Sequence, residues 1–263
     1  MTRRGRKAAG AALGVLAWLM ASCLDVPAPE GGILALSPVR LPSPGLVVGD
    51  TMRDSTGLAA PLRVVAYDAA GQPVPDAAVT FIVIDTMPAA HLSGALLIGD
   101  TVGTVRVIGS TDVIQTQPAS VKVTLSPDTM VAADSILHRR RYSIAVDTVI
   151  DFNLATTVQH RGTSISGVEA VIVRYGIEQM TTGISNAQTV FLLNGAVPSD
   201  RDTSDATGRA SRTARLRLLA KSTFTTDTAL VRATASYAGR MIGNILFTLI
   251  STCVKDDGVT PCN

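Results

Sequence analysis

The sequence predicts an all-β chain, two sandwich domains in tandem behind an N-terminal export signal and a proline-rich stalk. Short apolar-alternating runs are separated by Gly, Pro and Asp turn clusters, as in sandwich folds. Helical 3.6-residue periodicity is absent from Leu62 through Leu125. The pattern then recurs at domain length, the mark of a tandem array.

The N-terminus comes first. Arg3, Arg4, Arg6 and Lys7 precede the uncharged apolar stretch Ala8 to Met20, followed by Ala21, Ser22 and Cys23. That is the order of an export signal, with an apolar core too short to span a bilayer as a stable helix. The small-small-Cys ending resembles the lipobox of bacterial lipoproteins, although Met20 stands where that family usually has leucine. The resemblance implies acylation at Cys23, which becomes the new N-terminus. Plain secretion with an incidental Cys23 is the alternative, weakened because Met20 is a poor residue at −3. A retained membrane helix is a third reading.

The whole chain has 23 Lys+Arg and 21 Asp+Glu, and residues 1–22 hold four of the positives and none of the negatives. The mature chain keeps 19 against 21. No electrostatic footprint for nucleic acid remains. Trp18, the single tryptophan, leaves with the signal, so the mature chain is poorly equipped for stacking on sugars or bases.

Pro27, Pro29, Pro38, Pro42 and Pro44, with Gly31 and Gly32, make an extended stalk of residues 23–32 and the approach to a first strand at Ile33 to Pro38. Leu62 to Asp68 alternates loosely, and Ala69 to Pro75 turns the chain. Val79 to Asp85 is apolar on both faces and reads as a central strand. Thr104 to Val107 and Ser120 to Leu125 follow, with Val121, Val123 and Leu125 on one face.

The echo then begins. Gly71 to Ala77 corresponds to Gly162 to Val168, Val105-Arg106-Val107 to Val231-Arg232-Ala233, and Ser120 to Leu125 to Ile245 to Ser251. The spacing grows between the first two echoes, which predicts an insertion in the second copy between Tyr175 and Thr228. The expected divisions are signal 1–22, stalk 23–32, first domain 33–126, linker 127–141, second domain 142–252 and tail 253–263.

The stretches Leu46 to Thr51 and Val64 to Phe81, with Gly103 to Val107 and Ala119 to Leu125, resemble the bacterial Ig-like (Big) domains of invasins, intimins and many surface lipoproteins. Thr203 to Ala210 is similar to that family's mid-domain turn, while Gln159 and Ser164 replace the Asp and Pro of the first copy's turn. The resemblance implies immunoglobulin-like Greek-key sandwiches stacked end to end. Antibody-type domains carry a core Trp and an intersheet disulfide. Neither can exist here, which fits the bacterial subclass.

Candidate chemistry is sparse. His91, His138 and His160 are scattered without metal-ligand spacing and read as exposed loop or edge residues. Asp200, Asp202 and Asp205 form the densest acidic loop, a weak calcium candidate against a solvated turn; Arg201 sits among them and the spacing is not that of an EF-hand. Arg139-Arg140-Arg141 falls in the expected linker, either against anionic headgroups or simply solvated. No nucleophile elbow or phosphate loop occurs. Cys253 and Cys262 are the remaining cysteine pair and are expected to form a disulfide in an oxidising compartment.

The expected function is non-enzymatic and cofactor-free: a lipid-anchored Ig-like spacer, adhesion or assembly module of the cell envelope. The alternative is a ligand- or carbohydrate-binding module using sandwich-end loops. Partners are the membrane, through the anchor, and a protein or glycan of the envelope; nucleic acid is not among them. Leu24, not an aspartate, follows Cys23, which points to the outer membrane.

Overall fold

The computed structural model describes residues 32–112, 114–143, 148–181, 188–218, 226–255 and 259–260. The signal, Cys23, the stalk through residue 31 and Cys262 lie outside them. Every regular element among the described residues is a strand.

The N-terminal half holds β1 (Ala35–Leu36), β2 (Gly45–Val47), β3 (Ala66–Tyr67), β4 (Thr80–Val83), β5 (Ala90–Ser93), β6 (Leu96–Gly99), β7 (Gly103–Ser110) and β8 (Ala119–Thr124). One sheet runs β2-β8-β7-β4, with β2 parallel to β8 and the other pairs antiparallel. Val105 and Val107 of β7 and Val121 and Val123 of β8 turn inward and pack with Leu46, Met52, Leu62, Ala90 and Leu97. The opposite layer is irregular, built from the β5–β6 hairpin, the β1–β3 pair and isolated bridges such as Thr51 to Ile98.

The C-terminal half holds β9 (Thr129–Ala132), β10 (Leu137–Ser143), β11 (Thr148–Arg161), β12 (Ile165–Gly167), β13 (Ile172–Thr181), β14 (Gln188–Asn194), β15 (Val197–Pro198), β16 (Arg201–Thr203), β17 (Arg209–Leu218), β18 (Thr226–Tyr237) and β19 (Arg240–Val254). One sheet runs β10-β19-β18-β13-β16; the other runs β12-β11-β17-β14-β15, with β9 also on β11. Phe152 and Leu154 from β11 and Leu216 from β17 meet Tyr175, Val231, Phe247 and Leu249 from the facing sheet in a second, separate core. Full burial of side chains of this size contributes about 1.5–3 kcal/mol each.

The repeat has a structural counterpart. β10-β19-β18-β13 repeats the order and directions of β2-β8-β7-β4, down to the single parallel pair. Val105 and Val107 are buried, as are Val231 and Ala233, while the arginine between each pair faces out. Arg106 binds Asp85 beyond β4 at 2.8 Å, and Arg232 binds Glu178 on β13. Between β4 and β7 lie only β5 and β6, whereas β14 to β17 lie between β13 and β18. Those added strands account for the growing spacing.

Three expectations need correction. Residues 127–141 are no linker, because β9 pairs with β11 and β10 runs parallel to β19. The changeover is confined to Leu125 to Asp128, where Asp128 and His160 meet at 2.9 Å and the Asp128 amide donates to the Gln159 carbonyl. Val79 to Asp85 is no central strand: β4 ends its sheet, and Ile82 and Ile84 face solvent. Leu125 parts from Val121 and Val123, being 41% exposed just past the end of β8.

Candidate functional site

The residues singled out from sequence do not converge. Asp202 is drawn to Arg212, a buried guanidinium at 3.0 Å, and accepts from the Ser211 amide at 2.7 Å. Asp205 is spent inside its own turn, its Oδ1 accepting from the Thr207 amide, the Thr207 hydroxyl and the Arg209 amide. Asp200 is exposed beside Arg201. Each carboxylate has a different partner, so the calcium reading loses its geometric basis. Among the described residues no three His, Cys, Asp or Glu side chains gather in a way that could hold a metal ion.

All three histidines lie on strands and none in a loop: His91 is exposed on the two-stranded β5–β6 sheet and His138 lies on the end strand β10, both edge positions, while His160 is half-buried near the end of β11. His91 and His160 each meet an aspartate, Asp100 and Asp128, at 2.9 Å. His138 packs edge-on against Phe152 with ring centroids 6.0 Å apart, and burial pushes its imidazole below the usual value. Arg139, Arg140 and Arg141 lie exposed along β10, at the end of the sheet. Charges on an end strand discourage edge-to-edge pairing. Cys253 is buried at the end of β19 and disulfide-bonded. Cys262 is outside the described residues.

The polar cluster that no sequence motif announced lies where the halves meet. Asp50, after β2, receives two hydrogen bonds from Arg53, Nε at 2.7 Å and Nη2 at 2.8 Å, and one from the Thr51 amide at 2.8 Å. Tyr237, the last residue of β18 in the other half, donates its hydroxyl to the same carboxylate. Burial raises the Asp50 carboxyl, but the bonds from Arg53, Tyr237 and Thr51 outweigh it and hold Asp50 below the usual carboxylate range. The Tyr237 hydroxyl is pushed up, first by burial and then by its bond to the Asp50 anion.

Backbone close approach completes the contact. Asp54 closes an Asp-Ser-Thr-Gly turn by accepting from Thr56 and Leu58, and Gly57 sits at φ +89°. A methyl group on Gly57 would lie 2.5 Å from the Gly239 nitrogen. Gly239 and Ala238 both have positive φ in the two-residue turn between β18 and β19, the pattern of a type I′ hairpin. Across the same contact, a Cβ on Gly45 would come within 2.8 Å of the Ala170 Cβ. Ala170 is itself at φ +65°, held by its amide on the Ser204 carbonyl, while Ser204 Oγ donates to Val168 and accepts from the Val171 amide. Lys122 and Glu169 add a looser ion pair at 3.6 Å.

A cleft lined by Leu46, Arg53, Thr124, Val171, Arg174 and Tyr237 opens here. Its central charges satisfy one another, since Arg53 takes both Asp50 oxygens and also donates to the Gly57 carbonyl. This chemistry joins two protein surfaces; it presents no nucleophile beside a base.

No protein-family model matches the chain, and no curated protein is similar to it. Solved structures show distant likenesses. Adhesin InvE of Yersinia pseudotuberculosis is 15% identical with a TM-score of 0.35, covering 84% of this chain and 61% of its own. Domains 4 and 5 of the S-layer protein SbsC are 13% identical with a TM-score of 0.28, over 83% and 96% of the two chains. Domains EC1-2 of human mucin-like protocadherin are 16% identical with a TM-score of 0.29, over 84% and 98%.

Proposed function

We propose that this chain is a non-enzymatic envelope lipoprotein, anchored through Cys23, whose two tandem Ig-like sandwiches act as an arm of fixed geometry. Its role is spacing or assembly. The observation that carries the reading is the junction between the halves. A spacer transmits position only if its units do not pivot freely, so a short connection and contacts away from it must restrain the pivoting that is the default between domains. Here the connection is four residues long, from Leu125 to Asp128, and clamped at Asp128 and His160. Tyr237 on Asp50 and two glycine-permitted backbone approaches add contacts away from that connection. The signal-like N-terminus and Cys23 supply the attachment, in the outer membrane on this reading, and the proline-rich segment supplies the reach.

The anchor is tested by fractionating cells that express the parent or Cys23→Ser in the presence of a fatty-acid analogue. The parent should be labelled and membrane-bound, and the variant unlabelled and released. A parent that is never labelled, with a variant that stays in the membrane fraction, would remove the lipoprotein reading.

A further inference from the structure

Strand β4 leaves an open edge. In the antiparallel pair with β7, Ile82 faces Ile108, and the Ile84 amide donates to the Arg106 carbonyl. Bonding alternates along such a pair. The amides and carbonyls of Phe81 and Val83 therefore point away from β7. Among the described residues no strand lies beyond them. The equivalent strand of the other half, β13, is covered at this edge by β16.

Three other end strands carry protection, although β12 (Ile165–Gly167), like β4, has neither charge nor proline. β10 presents Arg139, Arg140 and Arg141, β16 presents Arg201, and β15 contains Pro198, which has no amide to offer. β4 has none of these. Val79 to Ile84 is an uncharged run, four of its six residues β-branched aliphatics and the others Thr and Phe. Such a run has high strand propensity. Its solvent face shows Ile82 at 42% and Ile84 at 37% exposure, continued by Met87 at 93%. The first charge, Asp85, is already held by the amide and guanidinium of Arg106.

We propose that this edge is a self-association surface, on which β4 of a second copy of the chain pairs antiparallel across a two-fold axis. An uncharged edge with outward amides and carbonyls is a template for another strand, and the segment matches itself. With Ile82 on the axis, Phe81 of one copy lies opposite Val83 of the other and exchanges both backbone bonds. Ile82 then meets Ile82, and Thr80 meets Ile84, so every opposed pair is uncharged. A two-fold contact of this kind needs only one surface and closes at two copies. About four new backbone hydrogen bonds would form.

The register makes the test specific. Full-length chain in mild detergent, carrying Ile82→Cys, should give a covalent dimer on mild oxidation, because residues opposed at non-hydrogen-bonded sites approach most closely. Thr104→Cys, exposed on β7 away from the edge and carrying the same native cysteines, should not exceed the parent. Thr80→Cys and Ile84→Cys should each cross-link poorly alone and efficiently when mixed. Sedimentation of the parent should show concentration-dependent dimers, weakened by about tenfold or more in Ile82→Lys, whose side chain reaches solvent in the single copy. Unchanged β-sheet circular dichroism would establish that this variant remains folded. A parent that is monomeric at every concentration, a dimer that survives Ile82→Lys, or Ile82→Cys cross-linking no faster than Thr104→Cys would each overturn the proposal.

Discussion

Tyr237→Phe deletes one oxygen and leaves the hairpin that carries it intact, which makes it the cleanest probe of the junction. The lost bond joins a neutral donor to an anion across the contact between halves. Such bonds contribute about 1.5–3 kcal/mol net. Both partners are only partly buried, so the lower end applies, about 1.5 kcal/mol, or roughly a tenfold shift toward separated halves. Asp50→Ala removes the acceptor and strands Arg53, while the double variant loses no more of the cross-junction bond than either single. Urea unfolding of the four full-length proteins, followed by β-sheet circular dichroism, gives the coupling directly, expected at about 1 kcal/mol or more. The acid limb offers a second signature. Asp50 is held below its ordinary value, so its contribution is whole above about pH 4 and is lost as the pH falls through the lower folded value. Tyr237→Phe should flatten that limb. A coupling within about 0.3 kcal/mol of zero would refute the junction as a lock.

Gly208→Ala should be severe, because Gly208 is at φ +80° and a Cβ there would sit 2.3 Å from the Val158 carbonyl oxygen. A loss of roughly 2–3 kcal/mol is expected in thermal or urea unfolding, and stability unchanged from the parent would contradict the turn geometry. Partial burial lowers the His138 imidazole below its ordinary value, so its contribution is whole above about pH 6.5 and declines as the pH falls below that value. His138→Phe should weaken this part of the pH dependence; identical profiles for parent and variant would count against an imidazole lowered by its packing against Phe152. For Cys253 we propose Cys262 as the partner, expecting no free thiol from the pair in denatured, unreduced protein; two free thiols, or a linked dimer, would overturn that pairing.

Much of the fold was legible because burial on one face imposes alternation. Val121 and Val123, and the pair flanking Arg106, announce inward faces, and the same spacing around Arg232 exposes the repeat. β10 was missed for the converse reason. Its three arginines point to solvent along an end strand, so the charge run looked like a linker while Tyr142 alone marked the buried side. β4 misled in the other direction, since apolar residues on both faces suit a central strand and equally an edge awaiting a partner. The Asp54 turn did leave a signal, because Asp54-Ser55-Thr56-Gly57 repeats the Asp-x-Thr-Gly of Asp205 to Gly208 and closes with the same hydrogen bonds. The junction left none. Tyr237 and Asp50 are 187 residues apart, and neither residue type nor local spacing marks a contact made only when two finished halves meet.

An arm of fixed geometry needs its halves held in one orientation, and a distance distribution across the junction measures that. Spin labels on unnatural side chains at Ser93 on β5 and Arg217 on β17, both exposed, avoid the native cysteines and lie away from the residues of the contact. Pulsed dipolar spectroscopy on the full-length chain should give one narrow distribution, broadened by Tyr237→Phe combined with Asp50→Ala. A broad or multimodal distribution in the parent, unchanged by that pair of substitutions, would contradict an arm of fixed geometry.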